Sequence, residues 1–433
     1  MKKVLIITYY WPPSGGAGVQ RVLKLVKYLR QNNWEPVIYT ADEAEYPILD
    51  SSLAKDIPEG VTVIRKKLWE PYSFYKKFIG QKKDQKVYSG FLSENKKSSF
   101  AQKVSVWIRG NFFIPDARCF WIKPSVRFLS EYLKQNPVDA IISSGPPHTT
   151  HLIARGVKRK TNLPWIADFR DPWTQIDFYE QLMLTSVADA KHKRLERSVL
   201  KEADKVITVS WNWAKDLEAI GKRKIEIITN GFDEDDFSAA GSTQSDTKFS
   251  MSHIGSLNGD RNAENFWVAL KELCNDDAQF KTDLIIRLIG KNDFSVYQSI
   301  EQNGLNKQLE KIEYIPHSET GKYQQRSSVL LLFLNNTPNV LGIIPGKLFE
   351  YLAARRPILI IGNSNGDSAR IVTETNAGAI CGFDEKEKMK ATIKDFYTRW
   401  KKNELTVSAA AIEKYSRKTI AQKFAVLLNE ITS

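Results

Sequence analysis

Cysteine and long apolar runs are scarce in this sequence of 433 residues. The three cysteines are Cys119, Cys274 and Cys381, and their spacing fits neither a disulfide framework nor a metal site. An odd number of widely separated thiols is typical of a reducing compartment, and no apolar run reaches the roughly 18 residues that a transmembrane helix needs. We therefore expect a cytoplasmic protein without a transmembrane segment or a bound metal.

Positive charge is concentrated in one segment. The chain carries a formal net charge of +13, and residues 64–110 hold twelve Lys or Arg but only three acidic residues, with aromatic side chains interleaved. Such a surface suits an anionic membrane at the inner face of a cell or a phosphorylated partner, whereas a solvated insertion is the plainer alternative. No pattern of a nucleic-acid-binding module accompanies the charge, so we expect no nucleic-acid partner.

Strand-like and helix-like patterns alternate along the whole chain. This alternation is typical of an α/β protein whose parallel sheets are covered by helices on both faces. We predict two Rossmann-like, doubly wound domains that face a central cleft, because ligands of such sheets bind beyond the carboxyl ends of the strands. The predicted parts are an N-terminal domain 1–237 with a basic insertion 64–110, a linker 238–248, a C-terminal domain 249–410 and a closing helix 411–433.

A glycine-rich loop, YYWPPSGGAGVQR at 9–21, follows the first strand-like run. A dinucleotide-binding fingerprint would need a third glycine where Arg21 stands, and the Walker pattern of P-loop proteins is absent. Asp42 at the end of the second strand would still suit a ribose contact, so a dinucleotide site stays an alternative. The favoured functional interpretation is an open turn before a helix N-terminus, whose amides face an anionic or hydroxyl-rich ligand. Gly15 and Gly16 would then contact that ligand, and a plain tight turn is the alternative.

The segment IIPGKLFEYLAARRPIL, 343–359, combines charge with the start of a helix. Pro345 and Gly346 suit the opening of a helix, and Lys347 and Glu350 share one of its faces. A lysine beside a helix N-terminus suits a diphosphate, and a carboxylate one turn further can accept hydrogen bonds from ribose hydroxyls. An ion pair on a solvated helix is the alternative, but the apolar residues that follow indicate partial burial.

Five segments together resemble the glycosyltransferases of the GT-B architecture, in particular the retaining family 4 group that builds bacterial surface polysaccharides. They are PPSGGAGVQR, ISSGPPHTTH (142–151), WIADFRDPW (165–173), TNGFD (229–233) and PGKLFEYLAARRPIL. The resemblance implies a nucleotide-diphosphate sugar donor, with UDP favoured, bound mainly by the C-terminal domain. It also implies a saccharide or lipid-linked acceptor bound by the N-terminal domain, transfer with retention, and neither a metal nor a cofactor.

The resemblance also assigns roles to individual residues. His148 matches the family's histidine near the transferred sugar, Arg261 its phosphate-binding position and Lys347 its diphosphate-binding position, so these three are the predicted catalytic residues. The predicted donor-binding residues are Gly15, Gly16, Ser256, Arg261, Lys291, His317, Gly346, Lys347 and Glu350. Those predicted for the acceptor are Asp168, Arg170 and Asp171.

The sequence departs from the family pattern at two positions. Ser256 stands where many members have an arginine, and Lys291 is predicted to supply that charge. Gly342 stands where the family has the first acid of an E-x7-E pair, eight residues before Glu350. Because that acid contacts the donor sugar in the family, two alternatives stay open: a nucleotide-sugar epimerase of the same architecture and a non-catalytic nucleotide-sugar-binding protein.

Overall fold

The structure is a computed structural model that describes residues 1–68 except 43, 45 and 47, residues 100–238, residues 244–336 except 314, and residues 338–433. Most of the predicted basic insertion and part of the predicted linker lie outside these ranges. The chain divides into two compact units, one formed by residues 1–229 with 420–433 and the other by residues 230–419. No helix within the described ranges is long and apolar enough to cross a membrane.

The first unit is built on a seven-stranded parallel sheet in the order β3-β2-β1-β4-β5-β6-β7. Its central strands are runs of aliphatic residues buried on both faces, as parallel sheets covered by helices require. Ile6 pairs with Ile38 on one side and with Ile142 on the other. The strands are β1 (Lys2–Ile7), β2 (Trp34–Asp42), β3 (Thr62–Lys67), β4 (Ala140–Gly145), β5 (Trp165–Phe169), β6 (Lys205–Thr208) and β7 (Glu226–Ile227).

Helices cover both faces of this sheet. Each buries an apolar stripe with helical spacing, for example Val19, Val22 and Val26 on the first helix. The helices are α1 (Ala17–Leu29), α2 (Phe100–Phe112), α3 (Ile122–Gln135), α4 (Thr149–Thr161), α5 (Ser186–Glu202) and α6 (Trp211–Gly221).

The second unit repeats the same plan with six parallel strands in the order β10-β9-β8-β11-β12-β13. The strands are β8 (Phe249–Ile254), β9 (Leu284–Ile289), β10 (Leu309–Ile312), β11 (Val329–Phe333), β12 (Ile358–Ile361) and β13 (Gly378–Cys381). Its helices are α7 (Asp235–Ser238), α8 (Glu264–Asp276), α9 (Ala278–Asp283), α10 (Phe294–Gln302), α11 (His317–Arg326), α12 (Gly346–Ala353), α13 (Asp367–Glu374), α14 (Lys386–Lys401) and α15 (Ala409–Ile412).

The last helix, α16 (Arg417–Ile431), returns to the first unit. Ala421, Phe424 and Leu428 lie on one face of this helix and pack into the same core as Val4 and Ile6 of β1. The predicted closing helix 411–433 thus begins in one unit and ends as part of the core of the other. The compact units meet at 229 and 230, a few residues before the predicted end of the first domain at 237.

Each sheet reverses its strand order at one place. In the first unit this switch point lies between β1 and β4, and in the second unit it lies between β8 and β11. Loops that leave the carboxyl ends of these strands diverge to opposite faces of the sheet and leave a crevice between them. The two predicted halves of the fold, both doubly wound and Rossmann-like, are therefore confirmed, and each offers one such crevice.

A buried ion pair fixes the first helix to the sheet. The Arg21 guanidinium on α1 donates to both carboxylate oxygens of Asp168 on β5, at 3.0 and 2.8 Å. Arg21 also donates to the carbonyls of Ile228 and Thr229, where the chain leaves the first unit. Both charged side chains are at most 2% exposed, so neither can be solvated if the other is lost.

We expect the substitution Asp168→Asn to lower the free energy of unfolding by about 3–5 kcal/mol, because it leaves the Arg21 charge buried without its counter-ion. Chemical denaturation of the full chain measures this difference. The matched control is Glu131→Gln in the pair of Glu131 with Lys134, where both side chains are 69% exposed and the expected change is under about 1 kcal/mol. Equal effects of the two substitutions would contradict the account.

Candidate functional site

In the second unit, the turn after β8 brings the backbone against a lysine of α12. Gly255 has φ +118°, and a Cβ atom there would lie 2.5 Å from Nζ of Lys347. A side chain at this position would therefore both strain the turn and displace the ammonium group. The loop after β9 comes equally close, since a Cβ on Gly290 would lie 3.0 Å from the Gly255 carbonyl oxygen. The two glycines let three segments converge at the switch point.

Arg261 reaches the same place from the opposite side. It ends a short 3-10 turn, Gly259–Arg261, and its Nε donates a hydrogen bond to Oδ1 of Asn335, which follows β11. Strands β8 and β11 flank the switch point, so this bond spans it. Neither Arg261 nor Lys347 forms an ion pair with any residue in the described ranges. The structure thus brings two of the predicted phosphate-binding residues together, and Glu350 and Asp260 act on their charges without forming an ion pair with them in the described ranges.

Burial is the main cause of the pKa shifts in this cluster, and neighbouring charges have smaller effects. Burial, and then the positive charge of Arg261, lower the pKa of Lys347 to about 8, whereas Glu350 opposes the shift. Burial also lowers the pKa of Arg261. Burial, and then the positive charge of Lys347, lower the pKa of His253 to about 3. Its Nδ1 is hydrogen-bonded to the carbonyl oxygen of Leu331 at 3.0 Å. A bound anion stabilises two partly buried cations such as Lys347 and Arg261.

Glu350 lies one turn further along α12 and is held in place by a neighbouring helix. Nε2 of Gln324 on α11 donates to its Oε2 at 3.1 Å. Gln324 is itself buried, so the amide fixes the orientation of the partly exposed carboxylate. The geometry leaves Glu350 on the helix face that carries Lys347, as the spacing predicts, and suits the acceptance of hydrogen bonds from a ligand's hydroxyl groups.

The remaining predicted donor-binding residues of this unit lie in loops after strands and at the starts of helices. Ser256 is exposed directly after Gly255, Lys291 is exposed after β9, and Gly346 is the first residue of α12. His317 begins α11, but its side chain lies outside the described part of the structure. Gly342, where the family pattern has an acid, is buried at the end of a 3-10 turn, Pro338–Gly342.

In the first unit, the glycine loop after β1 forms the N-terminus of α1. Gly16 caps the helix with φ +95°, and no atom lies within 4 Å of where its Cβ would be. Gly15 is instead confined, because a Cβ there would lie 2.9 Å from the Ile48 side chain. The guanidinium of Arg170 contacts Gly18, where only a hydrogen atom fits. The loop therefore has open space at Gly16, whereas Gly15 and Gly18 are closely packed.

The three predicted acceptor-binding residues lie at the end of β5 and differ in their hydrogen bonds and burial. Asp168 forms an ion pair with Arg21 and also accepts a hydrogen bond from Ser144 Oγ at 2.8 Å. Arg170 donates to the carbonyls of Gly145 and Pro146 and is buried. Asp171 is only partly buried and has no hydrogen bond to a residue of the described ranges, and burial raises the pKa of its carboxyl group. Of the three, Asp171 has the freest polar atoms.

His148 follows the turn after β4, across the first switch point from the glycine loop. Its ring is 8% exposed and stacks on the indole of Trp173, with centroids 4.7 Å apart and planes 3° apart. Its Nδ1 is buried and has no hydrogen-bond partner in the described part of the chain. Burial lowers the pKa of His148 to about 4, although the carboxylate of Asp116 opposes the shift. The imidazole is therefore neutral at physiological pH.

His151 lies beside His148, with ring centroids 5.7 Å apart. It is fully buried, stacks on Phe169 with ring centroids 4.4 Å apart, and its Nδ1 is 2.8 Å from Ser143 Oγ. Ser143 Oγ also accepts the indole N–H of Trp165 at 2.8 Å. The serine hydroxyl is thus free to donate to His151, which leaves this histidine neutral.

Sequence reasoning missed four residues that shape these two sites. Asn335 and Gln324 orient Arg261 and Glu350, and no motif marks either one. Asp116 accepts hydrogen bonds from the backbone N–H and the hydroxyl of Thr149 at 2.9 and 2.8 Å, at the N-terminus of α4. Trp173 could have been noticed, since it closes the segment WIADFRDPW. Among the described residues, no group of three or more His, Cys, Asp or Glu side chains could hold a metal ion.

Solved structures with a similar fold include several glycosyltransferases and a putative UDP-N-acetylglucosamine 2-epimerase from Listeria monocytogenes. A glycosyltransferase from Rickettsia africae superposes with a TM-score of 0.63 at 14% identity, over 99% of this chain and 98% of that one. Anabaena HepE in complex with UDP-glucose gives 0.59 at 12% identity, over 99% and 100%. S. aureus TarM in complex with UDP and alpha-GlcNAc-glycerol gives 0.58 at 12% identity, over 99% and 100%. At these identities the similarity establishes the fold.

The fold is that of the GT-B glycosyltransferases, with two doubly wound parallel-sheet units. Residues 88–236 match the model of the family described as Glycosyltransferase Family 4. No curated protein sequence matches the chain. This match, together with the fold, identifies the chain as a glycosyltransferase, which confirms the class expected from the sequence.

The lowered pKa of Lys347 predicts a pH-dependent affinity for a diphosphate. UDP keeps its full negative charge above neutral pH, whereas the free lysine loses its proton as the pH rises through about 8. We expect the affinity for UDP to be greatest below pH 8 and to fall by up to about tenfold per pH unit above it. Isothermal titration calorimetry between pH 7 and pH 10 measures this dependence.

Two substitutions at this lysine control the measurement. Lys347→Arg keeps a permanent positive charge and should make the affinity nearly independent of pH, while Lys347→Met should weaken binding throughout and also flatten the profile. If the methionine variant retained the pH profile of the unmodified protein, the titrating group would be another residue.

Proposed function

We propose that this glycosyltransferase moves a sugar from a nucleotide-diphosphate donor, with UDP favoured, to a saccharide or lipid-linked acceptor in the synthesis of a surface polysaccharide. In this proposal transfer proceeds with retention of the anomeric configuration and without a metal ion. The observation that carries the proposal is the pair of cations at the second switch point, Lys347 and Arg261, which has no carboxylate partner among the described residues.

These two cations suit the chemistry of the leaving group. When the bond between the anomeric carbon and the diphosphate oxygen breaks, negative charge develops on the diphosphate. Positive groups that are already in place, and partly shielded from water, stabilise that charge without reorganisation. Lys347 lies at the first turn of α12, so the helix N-terminus adds to the field of its ammonium group. Glu350 is assigned to the ribose hydroxyls.

The first unit supplies the acceptor side of the reaction. His148 is assigned to a hydroxyl of the transferred sugar or of the acceptor, since it follows β4 at the first switch point and its imidazole is neutral. Asp171 and Arg170 are assigned to the acceptor. In a front-face mechanism with retention, the attacking hydroxyl can give its proton to an oxygen of the departing phosphate, so His148 serves to position and polarise rather than as an obligatory base.

What is known of proteins with this fold supports the choice of ligands. HepE was crystallised with UDP-glucose, and TarM with UDP and alpha-GlcNAc-glycerol. Gly342 leaves the usual sugar-contacting acid missing, so the hexose itself is left to experiment. The membrane surface predicted as a partner for 64–110 stays a prediction, because most of that segment lies outside the described residues.

The proposal predicts that a UDP-sugar stabilises the protein and is turned over only with an acceptor. At 100 times its Kd a ligand raises the free energy of unfolding by about 2.7 kcal/mol, which a thermal-shift screen of nucleotide sugars detects. We then expect UDP release in the presence of acceptor saccharides or lipid extract from bacteria, and little release without them. EDTA should change neither result.

The same experiment separates the alternatives. Conversion of the donor sugar without an acceptor would indicate an epimerase, and stabilisation without any turnover would indicate a binding protein. The control is Lys291→Gln, at an exposed cation near the same turn, which should weaken binding less than Lys347→Met does. Absence of stabilisation by every nucleotide sugar would sink the proposal.

A further inference from the structure

The indole of Trp173, on which His148 stacks, is itself held by a hydrogen bond to another buried histidine. Trp173 is 3% exposed, and its indole N–H donates to Nδ1 of His192 at 3.0 Å. His192 lies on α5 and is also 3% exposed. The three side chains form a continuous column that runs from the acceptor crevice to the helix that covers this part of the sheet.

The hydrogen bond fixes the protonation state of His192. An indole nitrogen can only donate, so Nδ1 of His192 must accept and its proton must be on Nε2. Nε2 faces the carbonyl oxygen of Gly110, at the end of α2, at 3.4 Å. Burial lowers the pKa of His192, which agrees with a neutral ring. The ring is therefore held between a donor on one side and an acceptor on the other, and cannot rotate without losing both.

A second contact ties the same loop to the same helix. Glu196 lies one turn after His192 on α5 and is fully buried. It accepts hydrogen bonds from the backbone N–H of Thr174 at 3.3 Å and from its hydroxyl at 2.6 Å. Consecutive residues of the loop after β5 are thus bonded to consecutive turns of α5, so the position and rotation of the Trp173 indole are both determined.

We propose that Trp173 and His192 are positioning residues for His148: His192 holds the indole, and the indole holds the imidazole of His148 face-on, so that the imidazole keeps one orientation for its contact with a sugar or acceptor hydroxyl. This inference rests on the proposed function for the role of His148, but the column itself is a property of the free protein. His192 acts only through Trp173 and touches no substrate.

The pKa of His148 depends on the charged and titratable groups around it and on its burial, so it reports the position of the ring. Asp116 raises the pKa of His148, and Arg170 and His192 lower it, while burial lowers it most. The ring of His151 also packs beside it, with centroids 5.7 Å apart. If the indole moved away, water could reach the imidazole, so the pKa of His148 would rise from about 4 toward its ordinary value.

The test uses four variants of the full chain. His192→Leu removes the acceptor and leaves the buried indole N–H unpaired, whereas His192→Asn offers an amide oxygen at a similar place. Trp173→Phe removes the donor but keeps an aromatic ring for the stack. The double variant with Trp173→Phe and His192→Leu leaves no unpaired donor, so it should be less impaired than His192→Leu alone. Lys201→Gln, on the exposed side of α5, is the control.

The first readout is the nuclear magnetic resonance titration of the imidazole groups, which is practicable because the chain has five histidines. We expect His192→Leu to move the ring-proton shifts of His148 and to raise its pKa, and His192→Asn and the double variant to restore both in large part. Unchanged shifts and an unchanged His148 pKa in His192→Leu would overturn the proposal.

The second readout is the release of UDP from UDP-glucose in the presence of acceptor extract. We expect His192→Leu to lower kcat by about tenfold or more with little change in the KM for UDP-glucose, because an unpaired buried donor displaces the indole while the donor-binding unit is untouched. A fall in kcat that only matches the loss of folded protein would mean a structural role and would also contradict it. If the proposed function is wrong, UDP does not bind, whereas the imidazole titrations still respond to the substitutions as expected.

Discussion

The structure depends on an excess of positive charge that is placed where the strands of the second sheet reverse their order. Lys347 and Arg261 approach one another from α12 and from the turn after β8, and no residue in the described ranges forms an ion pair with either one. Like charges held together in a partly buried place destabilise the free protein. In the proposed function a diphosphate would remove that destabilisation, so the arrangement that costs stability in the free state would provide affinity and leaving-group stabilisation in the bound state.

The charges of the first unit are arranged in the opposite manner. Arg21 and Asp168 neutralise one another in the core, Arg170 is saturated by carbonyl oxygens, and the imidazole of His148 is neutral. Of the predicted acceptor-binding residues, only the Asp171 carboxyl has no hydrogen-bond partner in the described ranges. Both sheets have one switch point, and the proposed function assigns the donor to one and the acceptor to the other.

Much of the fold and part of each site follow from local sequence patterns. Alternating strands and helices, the glycine loop before α1 and the Pro-Gly-Lys start of α12 are encoded by neighbouring residues, so they could be predicted. Asn335 could not, because it lies 74 positions after Arg261 in the sequence and meets it only once the chain between them has folded into β9 to β11. The return of α16 to the first sheet and the bond from Trp173 to His192 depend in the same way on tertiary packing rather than on spacing. Both join segments whose own patterns are those of ordinary helices and loops.

The most direct measurement is a crystal structure of the protein with UDP, grown in the presence of EDTA. The account predicts the β-phosphate within hydrogen-bonding distance of Nζ of Lys347 and of the Arg261 guanidinium, beside the backbone of Gly255, with the ribose hydroxyls on Glu350. A diphosphate bound elsewhere, with these two cations turned away from it, would contradict the account.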